Sequence, residues 1–198
     1  MKKQKEIRDL RIEPLSSEVE LKLLEAANRE IEVSNMEKEQ FVFFWSGPFS
    51  QWDQTPFRDE KGLEFNCAEQ YMMYHKAMTF EDREMASKIM STTDPRKQKA
   101  YGREVKNYDD AIWAQRRYQI VVEGSILKYT QNEKAYRALL ATGTKTIVEA
   151  SPLDKIWGIG LTETNPDASD RSKWQGLNLL GKALMDVRER LTAKGGID

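Results

Sequence analysis

The chain has 198 residues, enough for one well-cored domain with an appendage but not comfortably for two. It is 39% hydrophobic and 32% charged, and its 31 Lys plus Arg balance 32 Asp plus Glu, so no bulk field draws it to nucleic acid or to an anionic membrane. No apolar stretch approaches a membrane span, the N-terminus is too charged for a secretory signal, and the single cysteine, Cys67, excludes an intrachain disulfide framework. With one histidine, His75, beside that one cysteine, a thiolate metal cage or a His-rich zinc site lacks its parts. Chemistry without metal or cofactor, in the cytoplasm, is the expectation.

Residues 1–40 are densely charged and contain neither an aromatic residue nor a glycine. Ser17 with Glu20 three positions later predicts a capped helix with a thin apolar stripe, hence a helical extension. Composition changes at Phe41. Phe41 to Trp45 predicts a strand that Gly47-Pro48 ends. The turn residues Asp59 to Gly62 predict a small hairpin. From Asn66 the pattern is helical, with Asn66 as cap and Glu69 completing a capping box. Asp94-Pro95 predicts another helix start. Asn107 to about Thr130 gives the longest helical run, with Ile112, Tyr118, Val122, Ile126 and Tyr129 near one face. A further helix over 132–142 is closed by Gly143. Thr146 to Ala150 predicts a short strand, 151–176 a loop, and Leu177 to Leu191 a final amphipathic helix. The expected class is α+β: a predominantly helical single domain over 41–194 with a small β element.

Three clusters could carry chemistry. Glu69 and Lys76 are seven residues apart on one helix, hence on one face and about 10 Å apart along the axis. Each has a plain reading, Glu69 as a capping residue and Lys76 as a snorkelling surface amine. Each also has a functional one, since a carboxylate and an amine on an aromatic, Met-rich helix need a partner or a cleft. His75 points to another face and reads as structural. The second cluster runs from Asp154 through Trp157, Gly158 and Gly160 to Asn178. Its glycines admit close backbone approach, Trp157 offers a stacking face, and the last helix can present free N–H groups to phosphate. The third is Lys99 to Arg103 with Trp113 and Arg116-Arg117 beyond it; Arg103 can clamp phosphate or form an ordinary ion pair. Arg96, Lys97, Lys99, Arg103 and Lys106 together can form a local basic rim.

In this order the clusters resemble the NADAR, or YbiA-like, family over roughly Phe41 to Leu191. The matching elements are the aromatic entry from Trp45 to Trp52, Glu69-Gln-Tyr71, Lys76-Ala77, Gly102-Arg103, Trp113, Leu139 to Gly143 and Val148-Glu149. Asp154-x-x-Trp157-Gly158-x-Gly160 and Gly176-Leu-Asn178 through Gly181, Met185 and Arg188 complete the set. Gln70 departs from it, since many relatives carry His there; the departure bears on substrate choice.

The resemblance implies an N-glycosidase acting on ribosyl linkages to nitrogen, with no cofactor and no metal. Some members hydrolyse phosphoribosylaminopyrimidines of the riboflavin pathway, and others remove ADP-ribose from guanine in nucleic acid. It implies Glu69, Lys76 and Asp154 as catalytic residues, with Lys76 either assisting Glu69 or attacking C1′ to form a Schiff base. Trp45, Ser46, Phe49, Tyr71, Arg103, Trp113, Trp157, Gly158, Gly160 and Asn178 are the implied substrate contacts. The implied partner is an ADP-ribose-containing or ribosyl-phosphate substrate, including DNA or RNA with modified guanine, and no membrane. A module that binds NAD or ADP-ribose without turnover is the reading from a different class.

Overall fold

The computed structural model describes residues 39–193. The helical extension expected around Ser17 lies outside the described residues. The described residues form six α-helices and two short two-stranded sheets, an α+β fold that is mainly helical, as the sequence predicts.

Strand β1 (Phe41–Phe44) opens the domain and pairs in parallel with β4 (Thr146–Glu149), Phe41 opposite Thr146 and Phe44 opposite Glu149. Between them run the hairpin β2 (Phe57–Arg58) and β3 (Glu64–Phe65) and helices α1 (Ala68–Thr79), α2 (Arg83–Met90), α3 (Pro95–Arg103), α4 (Asp110–Gln131) and α5 (Glu133–Leu140). The final helix, α6 (Leu179–Ala193), packs on both α4 and β4. The parallel pair therefore ties the entry of the domain to the loop after β4.

Local chemistry sets the helix ends. Asp94 caps α3, accepting the Arg96 N–H at 2.9 Å, with Pro95 at the first position, as expected. Asn107 has a left-handed φ of 56°, so α4 starts later than predicted, with Asp109 accepting the Ile112 N–H at 2.9 Å. The expected face of α4 is partly met. Val122 and Tyr129 are fully buried, but Ile112 is exposed in the first turn and Trp113 enters the core instead. Around them Leu139, Ile147, Leu184 and Val187 form the main core, where full burial of one such aliphatic side chain contributes roughly 1.5–3 kcal/mol. The loop over 162–173 folds back: Ala168 and Leu161 pack with Val148 and Ile159, and Trp174 lies edge-on to Phe41 at 6.1 Å. It covers one side of the β1–β4 pair. No described helix is long and apolar enough to cross a membrane.

Candidate active site

The start of α1 departs from the predicted capping box. Cys67, not Asn66, is the N-cap residue, and no side chain caps the helix. Asn66 is turned outward to hold three segments together. Its amide donates to Gln54 Oε1 at 2.8 Å and the Thr93 carbonyl at 2.9 Å, and its oxygen accepts from Gln98 Nε2 at 2.8 Å. Gln70 accepts the Asn66 N–H at 2.8 Å and donates to the Ile89 and Thr92 carbonyls, both at 3.1 Å. The departure at Gln70 is thus absorbed in anchoring α1 to the end of α2.

Glu69 is left to do something else. Its backbone N–H donates to the Gln51 carbonyl at 2.9 Å, while its side chain is 2% exposed and its Oε1 is buried without a hydrogen-bond partner. Burial pushes the carboxyl up to about 7; nearby Asp154 adds to this, and Lys99, the Trp52 indole and Arg103 oppose it. An unpartnered buried carboxylate oxygen is costly to desolvate.

Asp154 and Lys99 face this group. They form an ion pair at 3.7 Å, and Lys99 Nζ lies 5.9 Å from the centre of the Trp52 ring. The other Asp154 oxygen accepts the N–H groups of Ile156 and Trp157 at 3.0 and 2.8 Å, which fixes the carboxylate to its own loop. Lys76, two turns along α1 from Glu69, donates to the Gly102 carbonyl at 2.7 Å. Its amine lies 4.2 Å from the Tyr108 ring centre and 5.8 Å from that of Trp113. Burial, then the Arg103 charge, holds it below the usual lysine range, with Asp110 and Glu69 opposing. The structure therefore gathers Glu69, Lys76, Arg103 and Asp154 in one electrostatic neighbourhood, built from α1, α3 and the loop after β4.

The implied substrate contacts divide. Trp45 is 59% exposed and Ser46 is also exposed, just past β1 where Phe44 pairs with Glu149. Phe49 is half-buried, edge-on to Phe44 at 5.6 Å. Trp113, 6% exposed, forms a floor under Lys76 rather than an open stacking face, and Trp157 is half-buried against the same core.

Several expected contacts are taken up by the chain itself. Tyr71 is buried, 5.8 Å from Phe57 and 4.9 Å from Phe65, and a Cβ on Gly124 would come within 2.5 Å of its ring. It is a core residue. A Cβ on Gly158 would meet the Glu149 carbonyl at 2.9 Å, and one on Gly160 would meet Gln175 Cβ at 2.8 Å, so both glycines admit neighbouring chain. The N–H groups of Asn178, Leu179 and Leu180 donate to the carbonyls of Gly158, Ile156 and Trp157, each at 3.1 Å. The predicted phosphate seat at the start of α6 is thus filled by the Asp154 loop. Asn178 itself, with φ 51°, accepts the Glu149 N–H at 3.0 Å and donates to the Ile147 carbonyl at 2.9 Å. Lys106 leaves the expected basic rim for Glu84, at 3.0 Å. The His75 ring packs 4.2 Å from that of Tyr71.

Two groups were given no functional role by the sequence reading. Glu149 ends β4 with a buried, unpartnered Oε2 and is pushed up to about 7, by burial first and then by Asp154, with Glu69 adding and Lys99 opposing. Its signal was a carboxylate closing an apolar strand. Lys128 is 2% exposed on α4 and donates to the Ser50 carbonyl at 3.0 Å. Its signal was its spacing from Val121 and Ser125 on one buried face. Among the described residues no group of three or more His, Cys, Asp and Glu has metal-holding geometry.

The NADAR domain matches residues 34–192. The chain is 45% identical over 166 residues to N-glycosidase R617 of Acanthamoeba polyphaga mimivirus, covering 78% of this chain and 98% of the viral one. It is 37% identical to Protein irg-1 of Caenorhabditis elegans, covering 75% and 71%, and 29% identical to a Vibrio vulnificus riboflavin biosynthesis protein, covering 60% and 29%. The solved structure of Escherichia coli YbiA superposes with a TM-score of 0.65 at 24% identity, covering 79% of this chain and 88% of YbiA, which shows the shared fold. The chain belongs to the NADAR family.

Proposed function

We propose that the chain is an N-glycosidase that hydrolyses a ribosyl C1′–N bond, and that its substrate is guanine carrying ADP-ribose within nucleic acid. The observation that carries the reading is the buried, unpartnered Oε1 of Glu69 among Lys99, Arg103 and Asp154. Breaking the bond develops positive charge on the ribose, which carboxylates beside C1′ stabilise. Glu69 takes the proton of the attacking water. Asp154, fixed by its loop N–H groups, supplies standing negative charge near the same carbon. Lys76, held over Tyr108, is the electrophilic partner of Glu69 and, with its lowered proton affinity, a nucleophile for a ring-opened sugar. Trp52 and Trp45, both exposed, are available to stack on a base, and Arg103 to hold phosphate. The mimiviral relative, an N-glycosidase by name, supports the reaction class.

A phosphoribosylaminopyrimidine is the second reading for the substrate, favoured by the Vibrio relative. Purified chain is offered both an oligonucleotide carrying ADP-ribosylated guanine and the riboflavin precursor. Release of ADP-ribose is expected. Cleavage of the precursor alone assigns the second substrate, and cleavage of neither overturns the enzyme reading in favour of a binding module.

A further inference from the structure

The reaction proposed above needs an acid for the departing nitrogen as well as a base for water. Asp154 is committed to Lys99 and to its own loop, and Lys76 donates to the Gly102 carbonyl. Two buried carboxyl oxygens in the same neighbourhood have no hydrogen-bond partner among the described residues: Oε1 of Glu69, from the first turn of α1, and Oε2 of Glu149, from the last residue of β4. Glu69 raises the proton affinity of Glu149, and Asp154 raises that of both. Two like charges in a desolvated space do not ionise together, so the pair titrates as a unit with one proton between its members near neutral pH.

Their surroundings decide which member keeps the proton. Glu69 faces Lys99 and Arg103 from α3, the Trp52 indole from the entry loop and, along α1, Lys76. Among the described residues Lys99 is the cation that lowers Glu149 most, with Asp154 and Glu69 opposing. The greater number of cations beside Glu69 favours the charge there and the proton on Glu149. Glu149 as a residue is half-buried, although its Oε2 is enclosed, whereas Glu69 is buried throughout, so Glu149 lies nearer the surface.

We propose that Glu149 is the general acid of this site, paired with Glu69 as the base. The step rests on the N-glycosidase reading. As the C1′–N bond breaks, the nitrogen receives the Glu149 proton. As the oxygen of water bonds to C1′, Glu69 takes a proton from that water. The products are the free base and the hydroxylated sugar; one proton transfer from Glu69 back to Glu149 restores the starting state.

The test uses Glu149→Gln in the full chain, a near-isosteric change whose folding is checked by thermal melting. The expected result is a 10²- to 10³-fold loss of kcat on the N-glycoside with KM little changed. The alkaline limb of the kcat/KM profile disappears, and the acidic limb, set by Glu69 beside a neutral neighbour in both proteins, stays in place. A nitrophenyl riboside, whose leaving group departs without protonation, loses far less. Wild-type kcat in a folded Glu149→Gln protein, or an equal loss on both substrates, overturns the assignment. Carboxyl-carbon NMR titration without substrate separates this from the reaction itself. Coupled titration of Glu69 and Glu149 in a protein that cleaves no N-glycoside leaves the shared proton standing and overturns the proposed function; independent titration in an active enzyme overturns the pair.

Discussion

Gln70 accepts the backbone N–H of Asn66 at 2.8 Å, and this single bond decides what its neighbour Glu69 is free to do. A helix start usually recruits the nearest carboxylate to its unsatisfied N–H groups. Here an uncharged amide performs the reach-back and, with its other end, satisfies two carbonyls at the end of α2. Glu69 is therefore carried into the interior by the helix without being spent on holding it.

Replacing Glu69 by Gln should separate function from stability. Its carboxyl holds a proton more tightly in the folded chain, at about 7, than at its ordinary 4.5. Stability from such a group is complete below pH 4.5 and is lost as pH rises through about 7, because the folded state then binds the extra proton. The wild type should lose about 3 kcal/mol relative to Glu69→Gln across that window, and turnover of the variant should fall by about 10³-fold. Urea denaturation at both ends of the window measures the first, and base release the second. A variant less stable than wild type at neutral pH would give Glu69 a structural task instead.

Lys76→Ala should reduce turnover by a comparable factor of about 10²–10³ while leaving the fold intact, since the amine is half-buried and its only hydrogen bond among the described residues is to the Gly102 carbonyl. Borohydride reduction during turnover should add the sugar mass to wild type and not to the variant if C1′ is captured. Normal activity in folded Lys76→Ala protein would remove the amine from the chemistry altogether.

Much of this was legible in the sequence for a physical reason. Periodicity and turn chemistry are local, so the two β elements, Asp94 as a cap and the pairing of Glu69 with Lys76 on one face could all be read directly. Asn178 could not. A helix-opening Asn before a glycine has the same local pattern whether its N–H groups face a phosphate or the chain's own carbonyls, and only the return of the Asp154 loop decides between them. Glu149 and Lys128 were hidden likewise, because a charged residue in an amphipathic stretch is normally a solvated one.

Asn178→Ala should accordingly behave as a structural lesion. It removes the side-chain bonds to the Glu149 N–H and the Ile147 carbonyl and places a non-glycine Cβ at φ 51° without Asn's tolerance for that region. The expected loss is about 2–4 kcal/mol by denaturant unfolding, with catalysis falling because the Asp154 loop and Glu149 lose their common support. Phosphate-dependent binding by an otherwise stable variant, weakened relative to wild type, would instead return Asn178 to the substrate.

Lys128 links the core to the entry loop and offers the opposite pH signature. Its amine is buried on α4 against the Ser50 carbonyl, and burial lowers it from 10.5 to about 8, with Asp53 and Cys67 only partly opposing. A proton held more weakly in the folded chain makes stability rise as pH climbs from about 8 toward 10.5, and the full cost is present below that range. Buried Tyr129 opposes the rise once the pH approaches ordinary tyrosine ionisation, so the window to measure is its lower half. Lys128→Met should abolish the alkaline gain, which would amount to about 3 kcal/mol over the whole range, and leave melting at neutral pH nearly unchanged. The same variant releases the Ser50 carbonyl and with it the segment that presents Trp52 to Glu69 and Lys99. KM should therefore rise severalfold while kcat changes little, which separates a residue that shapes the entrance from those that perform the reaction. A fall in kcat alone would place Lys128 in the chemistry.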